Sequence, residues 1–285
     1  MRRASAIEKE SLQIVTVEDL TGVFESIAST QVAKVKGKVE LSKEFFQLLW
    51  KRYTSLRVDP RARITNRELG DSDKTVFIII SAEAGLSGDI DQRLIETMLQ
   101  DYDRRTTDIV VLGTHGATQL LQRGIPFIHY FQVPESDRYI DVSPVIDAVM
   151  PYSRIIVYYE EYVSLSAQGI KTIDLISSMR DMSEDADEDT MTADDTIFEP
   201  SLEEIADQME QTMMTLALSQ TILESTLAQA ASRFNAMAVA KKRATEMLSD
   251  YRLEFHRAKR AESDRRLREV LVSLKEKRKR TGARK

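Results

Sequence analysis

The chain has 285 residues, of which 42% are hydrophobic and 30% charged, with only 10 glycines and 6 prolines. This mix favours a helix-rich globular protein over a β-sandwich or a disordered chain. Cysteine is absent, which excludes disulfides, thiolate nucleophiles and cysteine metal sites, and the three histidines (His115, His129 and His256) are too dispersed to predict a histidine metal site. The chain lacks an apolar run of about 18 residues and an apolar leader, so we expect a cytoplasmic location.

Charge is unevenly distributed along the chain, although the net charge is only −6. The segment from Asp181 to Asp195 is acidic, whereas Arg252 to Lys285 is strongly basic. A basic tail favours an acidic partner surface or a nucleic acid. Aromatic residues do not interleave with these basic residues, which argues against base stacking on a single strand.

The first region, from Ala4 to Leu56, is predicted to be one long amphipathic helix. It holds two glycines, Gly22 and Gly37, and the first proline is Pro60. Apolar residues recur at helical spacing: Leu20, Phe24, Ile27, Val32, Val35, Val39, Phe46, Leu49, Tyr53 and Leu56. A helix of this length would extend about 75 Å and needs a partner along its length.

The middle region alternates between strand and helix patterns. The run TVFIIIS at 75–81 is typical of a strand buried on both faces. A helix is predicted at 89–104, and further strands are predicted at 108–112, 126–131, 154–159 and 170–176. This alternation predicts a parallel or mixed α/β sheet. The acidic segment at 181–197 is predicted to be a polar loop.

The third region, 201–279, contains neither glycine nor proline and is predicted to be a second long helix. Ser201 and Glu204 fit a capping box at its start. Its apolar residues recur in steps of three, four and seven, which predicts a coiled-coil seam. The seam is assigned to two residues of the first helix and four of the second: Leu20, Ile27, Leu227, Phe234, Met237 and Met247.

These patterns together predict an α/β protein in which the two terminal helices form a long antiparallel coiled coil. The predicted division is 1–58 for the first helix, 59–200 for the α/β domain, and 201–285 for the last helix and basic tail. Two independent helices that bind other proteins are the alternative. The far end of the pair is highly charged and has a weak apolar seam, and its exposed charge pairs contribute at most about 1 kcal/mol each.

Several segments, in chain order, resemble those of F-type ATP synthase gamma subunits. Residues 224–248 (ESTLAQAASRFNAMAVAKKRATEML) match the C-terminal signature of that family. Residues 81–88 resemble its glycine-containing loop after the first strand, 158–162 its Tyr-Asn-x-Phe strand, and 198–201 its Tyr-Glu-Pro-Ser entry to the last helix. In the first helix, Phe24 takes the place of a methionine of the family.

The resemblance implies a non-catalytic rotor subunit in the central stalk of a bacterial ATP synthase, built with a Rossmann-like domain. Its expected partners are the alpha and beta subunits, the epsilon subunit and the membrane c-ring, without nucleic acid, cofactor or metal. Its expected location is peripheral, on the cytoplasmic face of the inner membrane. By position in the family motifs, the contacts with beta subunits fall on Phe24, Arg257, Lys259, Arg260, Asp264 and Glu269.

Arg260, Asp264 and Arg266 depart from the family at these contact positions. Without the resemblance, this basic run would be interpreted as a solvated helix face. The resemblance favours a contact role for it.

Two other functions are compatible with parts of the sequence. Glycine-containing loops at 85–88 and 113–116 follow predicted strands, as phosphate-binding loops do, and His115 could serve as a base. Neither loop matches the P-loop or the dinucleotide pattern, and no Ser/His/Asp set is evident. The basic tail at 275–285 leaves open a coiled-coil scaffold or a nucleic-acid-binding protein.

Overall fold

The computed structural model describes residues 3–55, 72–133, 141–175 and 202–282. The acidic loop predicted at 181–197, the capping residue Ser201 and the end of the basic tail lie outside these ranges. The chain forms two compact units. Unit 1 consists of 1–26 and 237–285, and unit 2 consists of 27–236.

Two long helices occupy the ends of the chain, close to the predicted bounds. Helix α1 is Ala4–Ser55 and helix α5 is Leu202–Gly282. Residues with higher numbers on α1 contact residues with lower numbers on α5. Within unit 1, Glu10 pairs with Tyr251 and Glu25 with Lys241. Within unit 2, Gln31 pairs with Arg233 and Tyr53 with Glu210. The predicted antiparallel pairing of the terminal helices is therefore confirmed.

Unit 2 contains a five-stranded mixed sheet. Its strands are β1 (Ser72–Ile80), β2 (Thr107–Leu112), β3 (His129–Phe131), β4 (Tyr152–Tyr162) and β5 (Gln168–Asp174). They lie in the order β3-β2-β1-β4-β5, with parallel pairing among the first four and antiparallel pairing between β4 and β5. The predicted mixed α/β sheet is confirmed.

Three short helices connect the strands: α2 (Ile90–Asp101), α3 (Thr114–Gln122) and α4 (Ser143–Val149). Helix α2 ends three residues before the predicted end at 104. Strand β3 is shorter than predicted, and before it the Ile128 N–H donates to the Ile109 carbonyl at 2.8 Å. Strand β4 is longer than predicted, because it continues to Tyr162, opposite Gln168.

Side chains of β1 alternate between two buried faces, which explains its unbroken apolar run. Phe77 and Ile79 face one cluster, and Val76, Ile78 and Ile80 face the other. The first cluster is completed by α2 and α3 through Leu94, Ile95, Met98, Ala117 and Leu120. The second is completed by α1, α4 and α5 through Phe46, Trp50, Tyr53, Val145, Ile146, Val149, Met213, Met214, Ala217, Leu218 and Ile222. Unit 2 is thus a three-layer α/β/α structure.

The carboxyl ends of β1 and β2 are held together by a close backbone approach. Gly113 has φ +97, and a Cβ placed there would lie 2.2 Å from the Ser81 carbonyl oxygen. The Ser81 hydroxyl lies 2.9 Å from both the Leu112 carbonyl oxygen, to which it donates, and the Gly116 N–H, from which it accepts. The loops after β1 and β2 therefore meet at one edge of the sheet.

Candidate partner-binding surfaces

The two helices of unit 1 are joined by polar contacts. The described contacts include Lys241 Nζ to Glu25 Oε2 (2.9 Å), Thr245 Oγ1 to Glu18 Oε1 (2.6 Å), Tyr251 Oη to Glu10 Oε2 (3.0 Å) and Ala4 N to Glu262 Oε1 (3.1 Å). The hydrogen bond to Glu25 raises the pKa of Lys241. Exposed pairs of this kind stabilise little individually and instead fix the register of the helices.

The buried positions of unit 1 carry mostly small side chains. They are Ala4, Ile7, Thr21, Met237, Ala244, Leu248 and Ala258. At the end of the pair, Ala4, Ile7 and Ala258 form a small apolar cluster with Tyr251 and Phe255. On α5 the steps from 244 through 248, 251, 255 and 258 alternate between four and three, as in a coiled coil. The alanines at 4, 244 and 258 let the two helices approach closely where they lie.

The residues predicted to form the seam differ in burial. Leu227 and Met237 are buried, and Phe234 is partly buried. The exposed fractions of Leu20, Ile27 and Met247 are 52%, 47% and 47%, so these three side chains lie off the seam. The residue that follows each of them, Thr21, Ala28 or Leu248, is buried instead.

On α1, where the buried residues are Thr21 and Ala28, the physical reason for this one-residue shift is the small size of those residues. A periodicity analysis gives weight to large apolar side chains and little to alanine or threonine. On α1 the sequence therefore predicts the neighbouring stripe, which the chain itself leaves uncovered. Thr21 satisfies its hydroxyl locally by donating to the Val17 carbonyl at 2.9 Å, so it can lie in the seam.

The uncovered stripe on α1 is a surface of large apolar side chains, here called the outward stripe. Within unit 1 it consists of Leu12, Val17, Leu20, Val23 and Phe24, with exposed fractions from 37% to 63%. Large exposed apolar patches mark interaction sites, so this stripe is a candidate for one. Phe24, a predicted contact residue, belongs to it.

The other predicted contact residues lie on the exposed surface of the last part of α5. Arg257, Lys259, Arg260, Asp264 and Glu269 are all exposed. Lys259 Nζ lies 5.7 Å from the centre of the Phe255 ring, and Glu269 Oε1 lies 3.2 Å from Arg265 Nε. These positions are accessible to a partner, and their contacts with beta subunits stay a prediction.

A second apolar stripe on α5 was missed by the sequence interpretation. Leu267, Val270, Leu271 and Leu274 are 54–62% exposed, and their spacing of three, four and seven places them on one helix face. The spacing was readable in the sequence, but the surrounding arginines obscured it. The end of α5 is therefore amphipathic rather than simply basic.

Within unit 2, a guanidinium fixes the loop after β1. Arg233 donates through Nε to the Gly85 carbonyl (3.0 Å) and through Nη2 to the Ala84 carbonyl (2.9 Å). Its Nη1 donates to Gln31 Oε1 on α1 at 3.3 Å. The planar fork of an arginine can hold three acceptors in this way, and a lysine could not.

The same loop brings together a serine, a histidine and an aspartate that the sequence interpretation did not connect. The Ser87 hydroxyl donates to Asp91 Oδ2 at 2.8 Å, and His115 Nδ1 lies 3.4 Å from the same oxygen. In a nucleophilic triad the serine would instead donate to the histidine. Ser87 is also buried, so this arrangement does not present an activated nucleophile.

Neither a metal site nor a membrane span is found in the part of the chain that the structure describes. Its histidine, aspartate and glutamate side chains nowhere gather in a group of three or more that could hold a metal ion. None of the described helices is long and apolar enough to cross a membrane.

Unit 1 is thus an antiparallel helix pair with large apolar side chains turned outward, and unit 2 is a three-layer α/β/α structure that includes the rest of both helices. The family model described as ATP synthase matches residues 5–274. The chain therefore belongs to the ATP synthase family. Curated relatives that match this chain include ATP synthase gamma chains.

Two of these relatives are bacterial. The ATP synthase gamma chain of Alkaliphilus metalliredigens is 21% identical over 278 residues, which cover 93% of this chain and 95% of the relative. The gamma chain of Staphylococcus aureus strain Newman is 26% identical over 208 residues, which cover 68% of this chain and 71% of the relative.

Solved structures share the fold at low identity. The rotor of the Euglena gracilis mitochondrial ATP synthase gives a TM-score of 0.63 at 12% identity, covering 90% of this chain and 98% of that one. A central stalk/c-ring structure of the Tetrahymena thermophila enzyme gives 0.57 at 15% identity, covering 78% and 99%. The predicted fold class and family are confirmed.

Proposed function

We infer that this chain is the gamma subunit of an F-type ATP synthase, the central-stalk rotor that couples ion flow to ATP synthesis or hydrolysis. This inference is supported by the way α1 places two kinds of side chain on different faces. Small and polar side chains hold the helix pair together, while Leu20, Val23 and Phe24 point away from it. A helix pair with this surface fits inside a partner that surrounds it.

The partners that we propose are the alpha and beta subunits around the helix pair, and the epsilon subunit and the c-ring at the α/β unit. The outward stripe with Phe24, and the exposed charges Arg257, Lys259, Arg260, Asp264 and Glu269, would meet the beta subunits. The segments 1–58 and 201–285 would serve as the shaft and 59–200 as the α/β domain. The chain would lie peripherally at the cytoplasmic face of the inner membrane.

In this role the chain performs no chemistry by itself. The buried Ser87 and the orientation of His115 toward Asp91 support a non-catalytic subunit, because no nucleophile is paired with a base there. The nucleotide sites would lie in the alpha and beta subunits.

Affinity purification of the tagged chain from its host membranes tests the proposal. We expect alpha and beta subunits in the eluate, with the tagged chain as the minor component, together with ATP hydrolysis that depends on the whole complex. Recovery of the chain alone, or only as a homodimer, would contradict the proposed function. Normal ATP turnover by the isolated chain would contradict its non-catalytic role.

A further inference from the structure

A glutamate on β4 is completely buried against the last helix. Glu160 has no exposed surface and lies near the carboxyl end of the strand. Its Oε2 is 3.2 Å from the Ser225 hydroxyl of α5, and that hydroxyl accepts a hydrogen bond from Gln229 Nε2 at 3.1 Å. Helix α5 therefore meets the sheet here through polar side chains.

A second carboxyl group, Asp91 at the start of α2, faces the same place and is 2% exposed. Its Oδ1 accepts from the Ala82 N–H at 2.7 Å, and its Oδ2 accepts from the Ser87 hydroxyl at 2.8 Å. His115 Nδ1 lies 3.4 Å from Oδ2. The aspartate thus accepts two hydrogen bonds from the loop after β1, and His115 from α3 lies close to it.

The second carboxylate oxygen of Glu160, Oε1, has no hydrogen-bond partner among the described residues. As an ionised oxygen, Oε1 meets no donor in the described part of the chain. Burial, and then the charge of Asp91, raise the pKa of Glu160 well above its usual value. If Oε1 carries a proton it becomes a donor, and Asp91 is the acceptor that faces it.

Neutral groups from other elements also contact this site. From α5 they are Ser225 and Gln229, and from β1 the Ile80 carbonyl, which lies 3.4 Å from the Ser225 hydroxyl. The residue opposite on β5 is Ile170. The charge balance at this place therefore depends on Asp91 and, through it, on His115 from α3.

We propose that Glu160 is a built-in proton-binding site: its carboxyl group stays protonated, donates to Asp91, and so fastens α5 to the carboxyl edge of the sheet. Loss of this proton would leave two negative groups buried close together. The contact with Ser225 and Gln229 would then loosen. The attachment of the last helix to the α/β sheet is thus sensitive to pH, whatever the function of the chain.

Thermal unfolding of the full chain at several pH values tests this site, with Glu160→Gln compared against Glu161→Gln. Glu161 is the next residue on the strand and is partly exposed, with Oε1 3.0 Å from Lys171 Nζ. The folded protein keeps the Glu160 proton above the usual glutamate pKa, while the unfolded chain releases it. Wild-type stability therefore falls as pH rises between the two pKa values.

Replacement of Glu160 by glutamine removes this loss of stability. The difference in Tm between Glu160→Gln and wild type should therefore increase with pH. Between pH 5 and the folded-state pKa of Glu160, we expect an increase of about 3 °C for each pH unit. The corresponding difference for Glu161→Gln should not grow in this way. A difference for Glu160→Gln that stays constant with pH would overturn the proposal.

Infrared spectroscopy of the folded chain at neutral pH provides a measurement that does not depend on how well the variants fold. Wild type and Glu161→Gln should show the C=O stretch of a protonated carboxylic acid, and Glu160→Gln should lack it. Absence of this band from the folded wild-type protein would also overturn the proposal.

Discussion

Lys241 of α5 lies across α1 at Gly22. A Cβ placed on Gly22 would lie 3.6 Å from Lys241 Cε, which is ordinary van der Waals contact, and Lys241 Nζ reaches Glu25 at 2.9 Å. The absence of a larger side chain at position 22 thus leaves room for the lysine stem. This relationship shows how the helix pair of unit 1 uses small residues to position polar contacts.

Gly22→Ala should stabilise the chain. Alanine fits beside Lys241 and is favoured over glycine inside a helix by about 0.5–1 kcal/mol. Gly37→Ala, also on α1 and with nothing near the added Cβ, is the matched control and should give a similar gain. Helix melting followed by circular dichroism measures both variants. Destabilisation by Gly22→Ala alone would show that the lysine stem packs more tightly than described.

Met237→Asp should separate the helix pair, whereas Met247→Asp should not. The two methionines lie on the same helix, but Met237 is 7% exposed and Met247 is 47% exposed. A carboxylate buried at Met237 should cost about 2–3 kcal/mol, and one at Met247 less than about 0.5 kcal/mol. Thermal unfolding of the two purified variants checks this. Equal losses of stability would contradict the corrected seam.

Gly113→Ala should severely destabilise unit 2. The added Cβ would collide with the Ser81 carbonyl oxygen at 2.2 Å, and φ is +97. We expect a loss of about 3 kcal/mol or more. Gly124→Ala separates the two effects, because its φ is +68 but the space around its Cβ is open, so its cost should be about 1 kcal/mol. Similar denaturant midpoints for the two variants would count against the close approach.

The outward stripe should matter for assembly and little for folding. Leu20→Ser combined with Phe24→Ser should change the stability of the isolated chain by less than about 0.5 kcal/mol per site. The same pair should reduce co-purification with the catalytic subunits. Ile7→Ser is the contrasting variant, because Ile7 is 3% exposed and its loss should cost at least about 2 kcal/mol. An unaltered yield of complex from the double variant would remove the stripe from the partner interface.

Helices and strands of this fold were predictable where the local amino-acid composition determines the secondary structure. The apolar run of β1 and the absence of glycine and proline from residues 202–281 each permit one interpretation. Strand β4 was predicted too short, because Glu160 and Glu161 look like the polar end of a strand. The burial of Glu160 depends on Ser225 and Asp91, which are distant in sequence and supply the polar surroundings. Local periodicity holds no information about such contacts.

The sequence indicated which residues could be exposed for contact, but it did not indicate which face of α1 packs against α5. Phe24 and the charged residues of α5 are exposed, as a contact role requires, whereas Leu20 was assigned to the seam and lies outside it. Helix α1 has one stripe of small side chains and one of large apolar side chains. The two stripes differ by one residue, and either could form the seam. Which stripe faces the partner helix is decided by how closely the backbones can approach. The sequence of one chain does not contain that distance.

The scarcity of large side chains in the unit 1 seam has a consequence for local opening. Ile7, Met237 and Leu248 are its large buried apolar residues, whereas unit 2 buries isoleucines on both faces of β1. Regions with little buried apolar surface unfold locally at a lower free energy. Amide hydrogens of α5 after Met237 should therefore exchange with solvent faster than those before it. One continuous helix would then have a stable half and a half that opens readily until something encloses it.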